Sequence, residues 1–435
     1  PSPPSGERAG VRGQPSTIES RLRHLFDWQT EGHQFNPAEV QCLISAIHAL
    51  KAIDIACGSG AFPMGLLLKL VWILRKLDPD NARWRAIQLA AIADGNLRAA
   101  AEHVFTGNLP DYTRKLYLIE NCLYGVDIQP IAVQIAKLRF FISLVVDQKV
   151  DDAQPNRGVL PLPNLETKVV AANSLIAPKQ RNQMALNLVQ KEIDDLEAVL
   201  NRIRHDHFHA RTYDQKKALR KRDRECREKL AKLLQESGAF AREEASEIAL
   251  WNPYQPDKAA GFFDPKWMFN YAGGFDISIG NPPYVRQEDI KEFKPLFKEL
   301  FECFTGVADL YVYFYERSFQ ILKVGGVLSF ISSNKYFRSG YGERLRWFLN
   351  YCGRIRLLLD FGDAPVFTAI AYPSIIIAQK TRALGKGELP DPKRAQESAA
   401  SANSLPVHTW EPGADIAEFP SVFREKSFSL AQREL

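Results

Sequence analysis

The chain has 435 residues, 46% of them apolar and 25% charged, a balance that excludes a mainly disordered protein and allows one large or two ordinary domains. Its net charge of +5 permits a polyanionic partner without requiring one. No uninterrupted apolar stretch approaches ~18 residues and no signal-peptide core opens the sequence, so a cytoplasmic protein with no membrane partner is expected.

Residues 1–16, rich in Pro, Ser and Gly, read as a disordered tail. Helical periodicity runs from Thr17 to Trp28, and Asn36-Pro37 then opens a second helix, with Pro37 suited to its first position. Residues 50–56 form the first strand signal. The turn Cys57-Gly58-Ser59-Gly60 and a helix over 64–77 follow, giving a ligand-binding strand–turn–helix unit. The turn is neither a phosphate-binding Walker loop nor a dinucleotide fingerprint, because no Gly-Lys-Ser/Thr follows and Pro63 takes the third glycine position. By itself it is equally a tight connection.

The next strand, residues 121–127, ends in Asp127 and precedes a helix over 131–146. An acid there can accept hydrogen bonds from both hydroxyls of a ribose, or it can simply serve a turn or helix cap. A third strand over 168–172 ends at Asn173. From 179 to 247 the pattern changes to long charged helices, with eleven Lys/Arg against five Asp/Glu over 201–230. A helical hairpin projecting from the sheet is expected, its basic side either lying along phosphates or merely solvated.

Phe275-Asp276-Ile277-Ser278-Ile279-Gly280 reads as a fourth strand that stops at Asn281-Pro282-Pro283-Tyr284. Two prolines stiffen this loop and remove two backbone donors, so it presents acceptors. An amide oxygen, a carbonyl and an aromatic face together suit a planar amino group on a flat π system. The competing account is a surface turn or polyproline ligand. Thr305-Gly306-Val307-Ala308-Asp309 leads into an aromatic helix reaching Leu322, and strands follow over 325–332, 355–361 and 373–379, with a helix over 341–351. Beyond 381 the composition is that of a linker.

The six cysteines are scattered singly, which supports neither a disulfide framework nor a structural zinc. His205, His207 and His209 place two imidazoles on one helix face, but the segment is charged and few such pairs find a third ligand, so no metal is expected.

Taken together, Asp54-Ile-Ala-Cys-Gly-Ser-Gly-Ala-Phe62, Asn281-Pro-Pro-Tyr284, Thr305-Gly-Val-Ala-Asp-Leu-Tyr311 and Gly325-Gly-Val-Leu328 resemble the class I S-adenosylmethionine-dependent methyltransferases. Among these the chain is similar to the adenine-specific amino-group DNA methylases, especially the methylase core of type IIG restriction–modification enzymes. The cofactor motif precedes the catalytic motif, as in the gamma arrangement. The resemblance covers roughly residues 17–380.

It implies an α/β fold with a seven-stranded, mostly parallel Rossmann-like sheet and a helical-hairpin insertion. The implied domains are a cofactor half over 17–178, the insertion over 179–250, a catalytic half over 251–380 and a linker over 381–435. With no nuclease domain before 17 and no recognition-sized region after 380, a fragment of a longer polypeptide with nuclease and target-recognition domains is expected.

The implied cofactor is S-adenosylmethionine. Asp54, Ala56, Gly58 and Gly60 would line its methionine and sugar, Asp127 its ribose and Asn173 its adenine. Phe35 and Pro37, in Phe-Asn-Pro where the family usually has Thr in the middle, would close over the methionine end, and Asp309 would shape the cofactor side of the pocket. Asn281, Pro282, Pro283 and Tyr284 would be catalytic, with Tyr284 and Phe367 stacking on an adenine flipped out of double-stranded DNA. The alternatives are an RNA base or a protein glutamine as methyl acceptor, or a catalytically silent DNA-binding fragment.

Overall fold

The computed structural model describes residues 17–92, 109–153, 163–179, 183–210, 212–238, 240–362, 364–367, 372–390, 403–410 and 427–432, with scattered single residues between them; the tail expected over 1–16 lies outside the described residues. The strands are β1 (Ala52–Asp54), β2 (Leu123–Asp127), β3 (Val169–Ala171), β4 (Phe275–Gly280), β5 (Leu322–Ser333), β6 (Gly353–Asp360), β7 (Pro373–Lys380), β8 (Ser404–Thr409) and β9 (Ser427–Ala431). They form one mixed sheet in the order β3-β2-β1-β4-β5-β7-β6-β8-β9. Strands β3, β2, β1, β4 and β5 are parallel, and β7 runs against both of its neighbours.

Successive strand residues face opposite layers, as a pleat requires. Ile53, Ile55, Tyr124, Val126 and Val170 enter one core; Ala52, Cys57, Leu123 and Val169 enter the other. The second core is roofed by α1 (Ile18–Phe26), α2 (Pro37–Ala49), α3 (Ala61–Leu77), α4 (Ala82–Ala90), α5 (Pro110–Asn121) and α6 (Pro130–Val145). The first core is filled by α8 (Gln190–His209), α9 (Tyr213–Ser237), α10 (Arg242–Leu250), α11 (Pro265–Phe269), α12 (Lys294–Leu300), α13 (Tyr311–Ile321) and α14 (Glu343–Cys352), and α7 (Gln183–Leu188) lies against α8 and α9. Ten of the eleven residues of α13 are buried, and its buried Glu316 and Arg317 are met by backbone groups, Glu316 by the Glu302 and Cys303 N–H groups and Arg317 by the Ser174 and Phe263 carbonyls.

Two expectations need correction. Among the described residues the sheet has nine strands rather than seven, because the region beyond 381 is not only a linker. β8 pairs parallel to the outer edge of β6, with Leu358 opposite Val407, and β9 closes over β8. Leu405 and Val407 are buried there, and the Gln432 side chain bridges Ile355 N–H and the Gly353 carbonyl. This pairing covers what would otherwise be an open sheet edge.

The hairpin of α8 and α9 also does not project. Ile193, Leu230 and Leu234 join the main core, and Asp223 is buried between Arg204 (3.2 Å) and Arg227 (2.6 Å). Both arginines also donate to carbonyls of the body, Arg204 to Trp267 and Arg227 to Trp251. The outward face of α9 carries Lys221–Glu225 and Arg224–Glu228 pairs along its own length, a solvated charged surface.

Replacing Asp223 by Ala leaves two buried guanidinium groups without their shared anion. Unfolding free energy from urea titration should fall by about 3–5 kcal/mol. Asp214→Ala, on the exposed start of the same helix, should change it by less than about 0.5 kcal/mol.

Candidate active site

Strand β1 lies between β2 and β4, and all three run parallel, so their carboxyl ends open on one edge of the sheet. Asp54 closes β1, Asp127 closes β2, and Asn281 follows Gly280 at the end of β4. That edge is where open α/β sheets bind ligands.

The glycine turn after β1 is tied to β2. Gly58, at φ +51°, donates its N–H to Asp127 Oδ2 at 2.8 Å, while Asp127 Oδ1 accepts from Gln129 N–H at 2.8 Å. Both oxygens keep a lone pair for a further donor. Gly60, at φ +82°, lies so close to α6 that a Cβ there would stand 2.9 Å from the Ala136 methyl. Only glycine meets both demands.

Asp54 is 1% exposed, its Oδ1 accepting from Ala56 N–H at 3.0 Å while Oδ2 has no partner among the described residues. Burial pushes its carboxyl up to about 8; the bond from Ala56 opposes this and the nearby Asp127 charge adds to it. On β4, a Cβ at Gly280 would lie 2.5 Å from Asp54 Oδ1. The catalytic-loop candidate therefore begins in contact with the buried acid of the cofactor-side turn.

The Asn281 side-chain oxygen is likewise buried and unpartnered among the described residues. An amide oxygen held so is costly unless a ligand donor meets it. Tyr284, 37% exposed, stands edge-on to Phe367, ring centres 6.5 Å apart, and to Tyr311 at 6.4 Å. The motif and its stacking candidate, separated widely in sequence, thus share one aromatic corner.

Half-buried Asn173 follows β3, its N–H donating to Ala260 and its Oδ1 accepting from Leu175 N–H. Asp309 has both oxygens engaged with the loop side of the site, Oδ1 accepting from Gln287 N–H at 3.2 Å and Oδ2 from the Tyr341 hydroxyl at 3.4 Å. Phe35 is buried with the Arg21 guanidinium 4.8 Å from its ring centre, and Pro37 begins α2 beneath a capping box between Asn36 and Glu39.

The model of the Eco57I restriction-modification methylase family matches residues 121–367, more than half of the chain, reaching from just before β2 to Phe367. This protein belongs to that family. The glycine turn at 57–60 lies before the matched region.

Residues of this family member are 34% identical to the type II restriction enzyme and methyltransferase RM.Eco57I of Escherichia coli, over 73% of this chain and 23% of that protein. They are 37% identical to the type II methyltransferase M.PaeR7I of Pseudomonas aeruginosa, over 25% of this chain and 19% of that one. The matches thus span about a fifth of the length of these curated relatives. Among solved structures, the type IIL restriction-modification enzyme MmeI in complex with DNA aligns with a TM-score of 0.41 at 13% identity, over 91% of this chain and 36% of that one.

Several supporting residues of this methylase-family chain escape sequence inspection. Arg317, buried on α13, donates to the carbonyls of Ser174 (2.9 Å) and Phe263 (2.8 Å), pinning the segment after β3. Trp410 follows β8 and packs on Phe361 beneath the loop that carries Phe367, with Ala364 and Val366 in the same cluster. A lone Trp beyond a polar segment carries no period to announce it. Gly280 offered a faint signal, a glycine closing a strand immediately before a rigid loop.

The Asp54 value has a direct consequence for stability. Folding takes up a proton at this carboxyl between the ordinary carboxylate value of ~4 and the folded value of about 8, so its contribution is complete at low pH and is lost as pH rises through that window. Relative to Asp54→Asn, which is neutral throughout, the wild-type chain should lose on the order of 3 kcal/mol between pH 5.5 and 8 in urea unfolding. Equal pH slopes for the two proteins would show that the carboxyl is not held protonated.

Proposed function

We propose that this chain is the methylase part of a restriction–modification enzyme of class I methyltransferase fold, transferring a methyl group from S-adenosylmethionine to N6 of an adenine flipped out of double-stranded DNA. The observation that carries this reading is the Asn281 side-chain oxygen, buried without a partner at the end of β4, between the Asp54 side of the edge and the Tyr284–Phe367 corner.

The residues on the cofactor side fit the group. Asp54 is a buried acid with an unused oxygen, suited to the ammonium of a methionine moiety, which would draw the carboxyl back to its charged form. Asp127 retains lone pairs for ribose hydroxyls and Asn173 stands at the neighbouring strand end for the cofactor adenine. Ala56, Gly58 and Gly60 leave the turn without side-chain bulk, and Phe35 with Pro37 would sit over the methionine end. When bound, S-adenosylmethionine supplies an electrophilic methyl group on a sulfonium.

On the other side, Asn281 Oδ1 and the Pro282 carbonyl would accept the two hydrogens of the target amine. This pulls the nitrogen toward a tetrahedral, nucleophilic shape and needs no strong base, since the proton leaves once nitrogen is cationic. Pro283 holds the loop rigid, so the acceptors need no reorganisation. Tyr284 and Phe367 would hold the base by its two faces, with stacking worth about 1–3 kcal/mol per base, against a flipping cost of a few kcal/mol. Their present edge-on arrangement requires one ring to turn before a base fits between them. Asp309 serves by bracing the loop through Gln287 and Tyr341.

Asn281→Ala should leave S-adenosylmethionine affinity by calorimetry within about 2-fold while lowering methyl transfer by at least ~100-fold. Asp127→Ala should instead weaken cofactor binding by ~10-fold or more, through the lost hydroxyl contacts and the freed Gly58 N–H. Tritiated methyl transfer offered DNA, RNA and protein in parallel tests the acceptor. Labelled N6-methyladenine recovered from digested DNA is the expected product, and an Asn281→Ala variant that turns over normally defeats the scheme.

A further inference from the structure

His205 and His209, one turn apart on α8, meet a residue from a distant part of the chain. Glu120, near the end of α5, places its Oε1 3.0 Å from His205 Nδ1 and 3.1 Å from His209 Nε2. The three donor atoms all lie within 4.8 Å of one another. His207, between them in sequence, points elsewhere: it is buried against Tyr254 and accepts from Arg220 Nε at 3.2 Å, so it takes no part.

We propose that Glu120, His205 and His209 form a site for a divalent transition ion of the zinc type, with water as the fourth ligand, clamping the α8–α9 hairpin to α5. One carboxylate oxygen lies beside a nitrogen of each imidazole, so three atoms able to ligate are grouped at one place. Their separations of 3.0 and 3.1 Å approach the ~3.3 Å edge of a tetrahedron with zinc–ligand bonds of ~2.0–2.1 Å. Two imidazoles with one carboxylate suit zinc, cobalt or nickel and disfavour magnesium and calcium, which need mainly oxygen ligands.

The site is open for entry, with the imidazole side chains 62% and 47% exposed while the carboxylate is nearly covered. Lys51 and Lys168 also lie within electrostatic reach of Glu120 and oppose a cation there, a repulsion that the three ligands must outweigh. Glu120 precedes the amino end of β2, whereas Asp127 closes the carboxyl end, about 16 Å away along five strand residues. The ion would therefore brace the fold rather than join the chemistry at the opposite edge.

The test uses the full chain freed of metal by chelation, titrated with zinc chloride and separately with magnesium chloride. Calorimetry should find one zinc per chain, and the thermal midpoint should rise with zinc and not with magnesium. His209→Ala removes an exposed ring, so its metal-free far-ultraviolet spectrum should match wild type, yet its zinc affinity should fall by at least ~10-fold and its midpoint should no longer rise with zinc. Glu120→Gln should show the same loss of zinc affinity. Absence of stoichiometric zinc binding, or equal binding by wild type and both variants, overturns the proposal.

Discussion

The buried carboxyl of Asp54 against the bare backbone of Gly280 is the contact on which the candidate site depends. Parallel pairing puts β1 beside β4, but pairing alone does not bring the two loops into register at atomic distance. That requires a strand end with no side chain, since a single methyl group at 280 would lie 2.5 Å from the acid. The consequence is chemical as well as steric. A carboxyl excluded from water, with one oxygen unmatched, sits where a cationic ligand group can compensate it.

Around that contact the molecule divides its labour by side of the sheet edge. On the β2 side, backbone N–H groups are drawn onto Asp127, and glycines remove bulk from the turn. On the β4 side, prolines, Asp309 and Tyr341 hold the loop, while rings at 284, 311 and 367 make a wall. Arg317 on α13 holds the segment after β3 and the Phe263 backbone through two carbonyls. Rigidity of this kind suits chemistry that relies on fixed acceptors rather than on an acid or base.

Away from the edge, buried charge does the fastening. Asp223 draws Arg204 and Arg227 together, and each arginine also donates to a carbonyl of the body, so the hairpin packs inward despite its highly charged sequence. Glu120 and its two histidines fasten the same hairpin to α5 at the surface. The strands β8 and β9 extend the sheet on the far side and place Trp410 under the loop carrying Phe367. A region without obvious strand pattern thereby packs against the segment that leads to Phe367.

Local chemistry in the chain sufficed to locate seven strands, the glycine turn, the acid after β2 and the Asn-Pro-Pro-Tyr loop, because hydrophobic period, glycine and proline act over a few residues. It also suggested Phe367 through resemblance, and tertiary structure then placed that ring beside Tyr284. What only the folded chain decided were relations between distant segments: the Asp54–Gly280 contact, the bracing role of Asp309, the inward hairpin, the two added strands and the third residue beside His205 and His209. These depend on which buried charges and open edges find partners across the molecule, and no local pattern encodes the partner's position.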